Sequence, residues 1–147
     1  MGQGSCMTTL YLIGSLRNQR IPDVGNALRG AGFDVYDSWF AGGERADDEW
    51  QRYSQRRGQT YIEALNDWAA QQVFEYDLKH LKRSDAAVLI YPAGKSAHTE
   101  MGWMVGQGKP VHVLVEEEPP RWDVMLRFAT GVHGSLDDLI LALKRSL

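Results

Sequence analysis

The pattern of apolar and polar positions along the chain predicts a series of short buried strands. Residues 8–13, 33–36, 85–91 and 111–115 are rich in apolar, β-branched and aromatic side chains, and each run ends near glycine, proline or acidic residues. Short continuous apolar runs of this kind are typical of parallel strands that are covered on both faces. A weaker fifth strand is predicted near Gly131 and Val132.

Segments with helical spacing of apolar residues alternate with these strands. Ser135 has the residue type preferred at the N-cap of a final helix. Apolar residues at Val73, Tyr76, Leu78 and Leu81 predict an amphipathic helix before the third strand. The predicted helices cover residues 22–30, 68–83, 96–106 and 136–147, with a shorter one around residues 122–128.

The segment between the second predicted strand and the helix predicted at residues 68–83 has a different composition. Residues 38–68 are rich in charge, glycine and tryptophan, and the first part shows no core-like periodicity. Residues 38–48 are predicted to form a loop, followed by short helices at 49–57 and 61–68. Long irregular connections in compact domains usually serve function, so this segment is predicted to be a lid or an insertion.

Strands alternating with helices predict a single α/β domain. The order implies a Rossmann-like or flavodoxin-like parallel sheet of about five strands with helices on both faces. The domain is predicted to span residues 8–147, and residues 1–7 are interpreted as a disordered start or a cloning remnant. In such sheets ligands bind beyond the carboxyl ends of the strands, where the strand order reverses.

Composition and charge narrow the classes of partner. The chain has 147 residues and a net charge of -3, without a long basic run, which argues against duplex nucleic acid. The single cysteine, Cys6, excludes an intrachain disulfide and fits a reducing cytoplasm. No apolar run reaches membrane-spanning length, so no membrane partner is expected. No motif predicts a cofactor, and the histidine spacing predicts no metal site.

Two carboxylates are candidates for chemistry at the carboxyl edge of the sheet. Glu100 lies near the predicted start of the helix at residues 96–106, where the helix dipole would keep it ionised as a nucleophile. Asp77 precedes the third strand and could act as a general acid. Capping for Glu100 and a solvated helix charge for Asp77 are the plainer alternatives. Gly102 and Gly106 predict close packing of the glutamate helix on the sheet.

Polar and aromatic residues near the same edge are candidates for substrate binding. The turn after the first strand, Gly14, Ser15, Leu16 and Arg17, combines flexibility, a hydroxyl and a guanidinium, which suits a small anion. An ordinary strand-to-helix turn is the alternative. Asp37 follows the second strand. Trp39 and Trp50 could stack on a base or sugar, or the segment that carries them could pack on itself.

Three sequence blocks resemble the nucleoside 2-deoxyribosyltransferase superfamily, and most closely its branch that hydrolyses nucleoside 5′-monophosphates. The first block is residues 10–17, LYLIGSLR. The second is residues 74–89, which contain FEYD and SDAAVL. The third, and the most specific, is residues 96–111, which contain SAHTEMG and GKPV. The resemblance covers most of the chain outside residues 38–68.

The resemblance implies roles for individual residues. Glu100 would attack C1′ of the sugar and form a glycosyl-enzyme, and Asp77 would handle the proton on the base. Tyr11 and residues 14–17 would line the sugar and, in the monophosphate branch, the phosphate. Ser96 would contact the 5′ end. Met125, in the sequence Asp123-Val124-Met125, stands where the transferases use an Asn-x-Met pair from a neighbouring subunit, with Asp in place of Asn.

These observations predict cleavage or transfer at the N-glycosidic bond of a nucleoside or nucleoside 5′-monophosphate. Two alternatives remain: a non-catalytic module that binds a nucleotide derivative, and an N-glycosidase that acts on the nicotinamide–ribose bond of NAD. The resemblance also implies a homodimer or higher homo-oligomer. Met101, Trp103 and Met104 on the glutamate helix offer candidate apolar surface.

Overall fold

The chain folds around one parallel sheet of five strands in the order β2-β1-β3-β4-β5. The computed structural model describes residues 7–147, and the predicted leader lies almost entirely outside them. The predicted fold class is confirmed. The strands are β1 (Thr9–Ile13), β2 (Asp34–Tyr36), β3 (Ala86–Ile90), β4 (Val111–Leu114) and β5 (Gly131–His133).

Six α-helices and two 3-10 helices connect the strands in the described part of the chain. The α-helices are α1 (Arg20–Gly30), α2 (Ala46–Arg56), α3 (Tyr61–Leu65), α4 (Trp68–Arg83), α5 (Lys95–Gly106) and α6 (Leu136–Ser146). The 3-10 helices are Ser38–Gly42 and Val124–Phe128. No helix in residues 7–147 is long and apolar enough to cross a membrane.

The strand order places β1 at the position where the chain reverses direction across the sheet. β1 pairs with β2 on one side and with β3 on the other, and every pair is parallel. The carboxyl ends of β1 and β3 therefore border the crevice in which open α/β sheets bind ligands. Residues that follow these two strands are placed side by side.

Side chains of the central strands point alternately to the two faces of the sheet and so divide the core into two layers. Leu10, Leu12 and Val88 pack with α1 and α6 on one face of the sheet. Tyr11 and Ile13 point to the other face, where they pack with α4 and α5. Because successive side chains of a strand face opposite sides, Tyr11 is directed toward the helix that carries Glu100.

Local signals explain most helix boundaries. Ser135 caps α6 by accepting a hydrogen bond from the Asp138 amide at 3.1 Å, as predicted. Thr60 and Glu63 form a capping box that begins α3. Asp67 caps α4 through the Trp68 amide. Gly32, with φ of 102°, allows the chain to turn after α1.

Several sequence predictions about the helices were wrong. Residues 38–48 are not a loop, because they contain a 3-10 helix and the beginning of α2. The helix predicted at residues 61–68 ends at Leu65, and α4 begins anew at Trp68 because Asp67 caps it. Ser38–Gly42 is ordered by packing: its Trp39 contacts both core layers.

The predicted packing faces of α4 and α5 also differ from those in the structure. On α4, Leu81 is buried, but Val73 and Tyr76 are exposed. On α5, Gly102 and Gly106 face away from the sheet, and a Cβ added at either would meet nothing within 4 Å. Met101 and Met104 form the face of α5 that packs on the sheet instead.

Candidate active site

The side chains of Tyr11 and Glu100 are in direct contact. The Tyr11 hydroxyl donates a hydrogen bond of 2.8 Å to Oε2 of Glu100. β1 supplies Tyr11 and the second turn of α5 supplies Glu100, since this helix begins at Lys95. A residue on a central strand thus fixes the orientation of a carboxylate on the helix above it.

Burial, not the helix dipole, determines the acidity of Glu100. Desolvation raises its pKa to about 7, and Asp77 adds to the increase, while the hydrogen bond from Tyr11 acts in the opposite direction. The expectation that the helix N-terminus keeps Glu100 ionised is wrong, because the residue lies beyond the first turn. The carboxyl group can therefore change its protonation state near neutral pH.

Asp77 is the second carboxylate of the site. It lies on α4, half-buried, and burial raises its pKa, while a hydrogen bond from the Tyr36 hydroxyl lowers it. Asp77 in turn raises the pKa values of Glu100, Tyr11 and Tyr36 by its charge. The structure therefore brings the two predicted carboxylates into one electrostatic unit, in which a proton can be held on one while the other is ionised.

A row of aromatic rings joins these groups. The Tyr11 and Tyr36 ring centroids are 5.0 Å apart, and His80 stacks on Tyr36 at 3.9 Å with an interplanar angle of 11°. Burial raises the pKa of Tyr36 to about 12. Sequence reasoning missed Tyr36 and His80. The available signals were the position of Tyr36 at the end of β2 and the spacing of His80, one helical turn after Asp77.

The turn after β1 is held by a residue that the sequence analysis also missed. Asn18 is buried, and its side-chain amide reaches the carbonyls of Ile90, Tyr91 and Pro92 at 3.2 to 3.5 Å. Its Oδ1 accepts from the Arg20 amide at 3.0 Å. Asn18 therefore ties the turn after β1 to the turn after β3, which stabilises the border of the crevice.

The predicted anion-binding residues lie on this border. The Ser15 hydroxyl accepts from the Arg17 amide at 3.1 Å, and Leu16 is half-buried. The Arg17 side chain is 70% exposed, with one long ion pair of 3.4 Å to Asp48 at the beginning of α2. An added Cβ at Gly14 would lie 2.6 Å from Cδ1 of Ile21, so a larger residue there would require the Ile21 side chain to move. Arg17 is thus free to approach an anion.

Asp37 and Trp39 hold the chain in place after β2. Asp37 pairs with Arg29 at 2.5 Å and lies against the backbone of Gly25. The Trp39 indole N–H donates to the Leu12 carbonyl at 2.8 Å. Both polar groups are thus occupied within the protein. Trp50 lies edge-on to Tyr61 at 6.4 Å, so residues 38–68 pack partly on themselves.

The two remaining predicted contacts lie at the surface. Ser96 is exposed in the first turn of α5. Met125 is exposed in the second 3-10 helix and belongs to neither core layer; its amide donates to Asp123 at 2.9 Å. The Tyr91 hydroxyl and Nε2 of His98 are hydrogen-bonded at 3.2 Å. Among residues 7–147, no group of three or more His, Cys, Asp and Glu could hold a metal ion.

Comparison with known proteins gives structural matches at low sequence identity. No protein-family model and no curated protein matches the chain. A conserved protein from Enterococcus faecalis superposes with a TM-score of 0.66 at 15% identity, over 97% of this chain and 100% of that one. A CMP N-glycosidase from Clostridium botulinum gives 0.56 at 15% identity, over 93% and 99% of the two chains.

A third match is a 2-deoxyribosyltransferase from Bacillus psychrosaccharolyticus. It has a TM-score of 0.58 and 17% identity, and the alignment covers 90% of each chain. At these identities the likeness concerns the fold, which includes nearly the whole length of this chain. The chain therefore shares its fold with an N-glycosidase and with a 2-deoxyribosyltransferase.

Proposed function

We propose that the protein cleaves or transfers the N-glycosidic bond of a nucleoside or nucleoside 5′-monophosphate. The observation that carries this proposal is a partly buried carboxylate beside β1, Glu100, which accepts a hydrogen bond of 2.8 Å from the Tyr11 hydroxyl and whose pKa is raised by burial and by the charge of a second carboxylate, Asp77. Two carboxylates of shifted acidity are the groups that glycoside chemistry requires. The N-glycosidase and the deoxyribosyltransferase that share the fold support this reaction class.

The proposed reaction proceeds in two steps. Ionised Glu100 forms a bond from its carboxylate oxygen to C1′ as the C1′–N bond breaks, and the bonding electrons leave with the base. In the form of the pair that reacts, the proton lies on Asp77 and not on Glu100, and Asp77 donates it to that base. Water or an acceptor base then attacks C1′, Asp77 takes up its proton, and Glu100 leaves as the carboxylate. Two displacements at C1′ retain the anomeric configuration.

Arg17 supports a substrate that carries a 5′-phosphate. It is the exposed cation of the turn after β1, whereas Arg20 in the same segment forms ion pairs with Glu116 at 2.8 Å and Asp23. A phosphate with two negative charges would compete well for Arg17 against the single, long contact with Asp48. Ser15 and Ser96 would add hydroxyl donors beside it.

The decisive experiment follows free base by chromatography. The purified protein is incubated with nucleosides, nucleoside 5′-monophosphates and NAD, each with and without an acceptor base. We expect base release from a monophosphate that falls at least about 100-fold in Glu100→Gln, as expected for loss of a nucleophile. Glu117→Gln, which alters an exposed carboxyl in the turn after β4, is the matched control and should retain activity.

The alternatives correspond to distinct results of this assay. Exchange that requires an acceptor base indicates a transferase, and release of nicotinamide from NAD indicates an NAD-type N-glycosidase. Full activity of Glu100→Gln contradicts the proposed nucleophile. If no compound is cleaved but one raises the melting temperature, the proposed reaction is wrong and the protein is a binding module.

A second copy of the chain is proposed to cover α3 and the beginning of α4. Ile62 and Trp68 are 70% and 72% exposed, and Tyr61, Val73 and Phe74 extend the same apolar surface. Clusters of exposed apolar side chains mark interfaces in soluble proteins, and symmetric dimers are the commonest assemblies. Light scattering after gel filtration should give a dimer or larger for the wild type and a smaller species for Phe74→Glu. A monomeric wild type would contradict this proposal.

A further inference from the structure

Residues 15–18 form a tight turn shortly after the end of β1. The Asn18 amide donates a hydrogen bond of 3.0 Å to the Ser15 carbonyl, which closes the turn and places Leu16 and Arg17 at its two central positions. The Ser15 hydroxyl accepts from the Arg17 amide at 3.1 Å and supports the same conformation. Arg17 therefore lies at the tip of a closed turn, and its position depends on how this turn is held against the sheet.

The chain after β1 contacts the end of β3 at two places. Asn18 is buried, and its Nδ2 lies 3.4, 3.2 and 3.5 Å from the carbonyl oxygens of Ile90, Tyr91 and Pro92. Before the turn, a Cβ added at Gly14 would lie 3.7 Å from the Ile90 carbonyl oxygen, so the backbone passes close to β3 there as well. The turn is therefore held against β3 on both sides of Arg17.

The position of Asn18 requires an amide side chain. Its Oδ1 accepts from the Arg20 amide at 3.0 Å, while its Nδ2 supplies protons to the carbonyls of residues 90–92. Carbonyls beyond the end of a strand have no ladder partner, and they need another donor where water does not reach them. Aspartate has no proton to donate, serine has a single donor on a shorter side chain, and an apolar residue offers neither group.

The carbonyls that Asn18 contacts belong to the segment that leads into α5. This helix begins at Lys95, three residues after Pro92, and it carries Glu100 in its second turn. On its other side, Asn18 ends the turn that carries Arg17. One buried side chain therefore joins the segment that supports the proposed phosphate-binding cation to the segment that supports the proposed nucleophile.

We propose that Asn18 is a positioning residue that sets Arg17 relative to Glu100 and thereby determines the preference for substrates with a 5′-phosphate. A phosphate on Arg17 brings C1′ to Glu100 only if the separation of the two segments is fixed, because a misplacement of about 1 Å can cost about 100-fold in rate. Asn18 itself touches no reacting atom. The inference rests on the proposed function in that Arg17 receives the phosphate and Glu100 attacks C1′.

The first experiment measures proton exchange by NMR in the full-length wild-type protein, without substrate. The reference is Asn66, an exposed asparagine whose Nδ2 donates only to the Ile62 carbonyl, four residues earlier in the chain. The Nδ2 protons of Asn18 should exchange with solvent at least about 10-fold more slowly than those of Asn66, because Asn18 is buried. Equal rates would overturn the proposal, and this comparison requires no variant to fold.

Asn18→Ser separates the two kinds of contact that the side chain makes. The serine hydroxyl can still accept from the Arg20 amide, as the Ser15 hydroxyl accepts from the Arg17 amide two residues later, but it has no amide protons for residues 90–92. The backbone amides of residues 17 and 18 should then exchange at least about 5-fold faster, the equivalent of about one hydrogen bond. They should be unchanged in the matched control, Asn66→Ser. Unchanged exchange in Asn18→Ser would overturn the proposal.

Base release from a nucleoside 5′-monophosphate relates this geometry to the reaction. Asn18→Ser should lower kcat/KM by about 10-fold or more, as expected for a misplaced substrate. In Arg17→Gln the same substitution should change kcat/KM by less than about 3-fold, because Asn18 acts through Arg17. A merely structural role would give the same factor in both backgrounds, and this result would overturn the proposal. Asn66→Ser should keep the wild-type kcat/KM.

The two experiments distinguish this inference from the proposed function. If the wild type releases no base, the proposed function is wrong and the role in phosphate preference is overturned with it, whereas the exchange rates still decide whether Asn18 joins the two segments. Base release with equal exchange rates for Asn18 and Asn66 contradicts only the role of Asn18. Melting temperatures identify a variant that does not fold, and the comparison of Asn18 with Asn66 in the wild type is then decisive.

Discussion

The hydrogen bond between Tyr11 and Glu100 opposes the effect of burial on the acidity of Glu100. This bond lowers the pKa of Glu100, which burial raises to about 7. In Tyr11→Phe the bond is lost while the ring remains, so the pKa of Glu100 should rise by about 0.5 to 1. Because the proposed nucleophile is the ionised form, the acidic limb of kcat/KM should move to higher pH by this amount.

The pH profile of base release measures that movement. Tyr91→Phe is the matched control, since its hydroxyl contacts His98 and not Glu100, and its acidic limb should stay at the wild-type position. A limb that is unchanged or displaced to lower pH in Tyr11→Phe would show that this hydrogen bond does not govern the ionisation of Glu100.

At the scale of single residues, the sequence predicted the partners of the site better than their environment. Asp77 and Glu100 were predicted from their positions relative to the strands, and the family resemblance added Tyr11. Tyr36 and Asn18 were missed, because their importance comes from contacts with Tyr11 and with the carbonyls of residues 90–92, far away in the chain. The ionisation of Glu100 was mispredicted because burial depends on tertiary packing, which local spacing does not contain.

At the scale of elements, apolar periodicity predicted where helices lie but not which face is covered. The bounds of α4 were predicted correctly, yet much of its apolar surface is exposed. The glycines of α5 were assigned to the sheet side, whereas Met101 and Met104 occupy it. The spacing of apolar residues identifies the apolar face of a helix. The surface that covers this face is determined by the order of strands in the sheet or by a second chain.

Lys109 makes a contribution to α4 that can be measured. Its ammonium donates hydrogen bonds to the carbonyls of Leu81, Lys82 and Ser84 at 2.6 to 3.1 Å, at the carboxyl end of the helix. The last carbonyls of a helix lack most of their partners within it, and a cation stabilises that end of the dipole; the Leu81 carbonyl also accepts from the Ser84 amide at 3.3 Å. We expect Lys109→Met to lower the free energy of unfolding by about 1–3 kcal/mol, measured by urea denaturation.

Lys82→Met is the matched control for this substitution. Lys82 is exposed on the same helix, and its side chain forms no hydrogen bond within residues 7–147, so its removal should change stability by no more than about 0.5 kcal/mol. Equal effects of the two substitutions would mean that net charge, and not the three carbonyl contacts, explains the role of Lys109.

At the scale of the whole molecule, the alternation of strands and helices determined the fold class, while the arrangement of the site required the strand order. Neighbouring strands β1 and β3 are separated by more than 70 residues in the chain, so their pairing is not a local property. This pairing brings the turn after β1 beside the beginning of α5. The alternation predicted that both regions lie at the carboxyl edge of the sheet, but residues 38–85 between them carry no signal for the distance across it, and only the family resemblance indicated that the two regions are neighbours.

The buried carboxyl of Glu100 should make the stability of the molecule depend on pH. Its pKa is about 7 in the folded protein against 4.5 for the exposed group, so folding favours the protonated form. The stabilisation of the folded protein by the protonated Glu100 carboxyl is fully present below pH 4.5 and is lost as the pH rises from there through about 7. Above pH 7 the ionised, buried carboxylate costs up to about 3 kcal/mol.

Glu100→Gln should therefore be more stable than the wild type, and increasingly so with rising pH. The difference in unfolding free energy should be about 2 kcal/mol larger at pH 8 than at pH 5. His80 and His112, whose pKa values are lowered by burial, destabilise the folded protein as the pH falls, but they do so in both proteins and cancel in the difference. Urea denaturation at both pH values measures this difference in unfolding free energy. Glu117→Gln is the control, and its difference from the wild type should not change with pH. A constant difference would show that Glu100 is not buried as a charge, whereas the expected trend would mean that the proposed nucleophile is retained against its cost in stability.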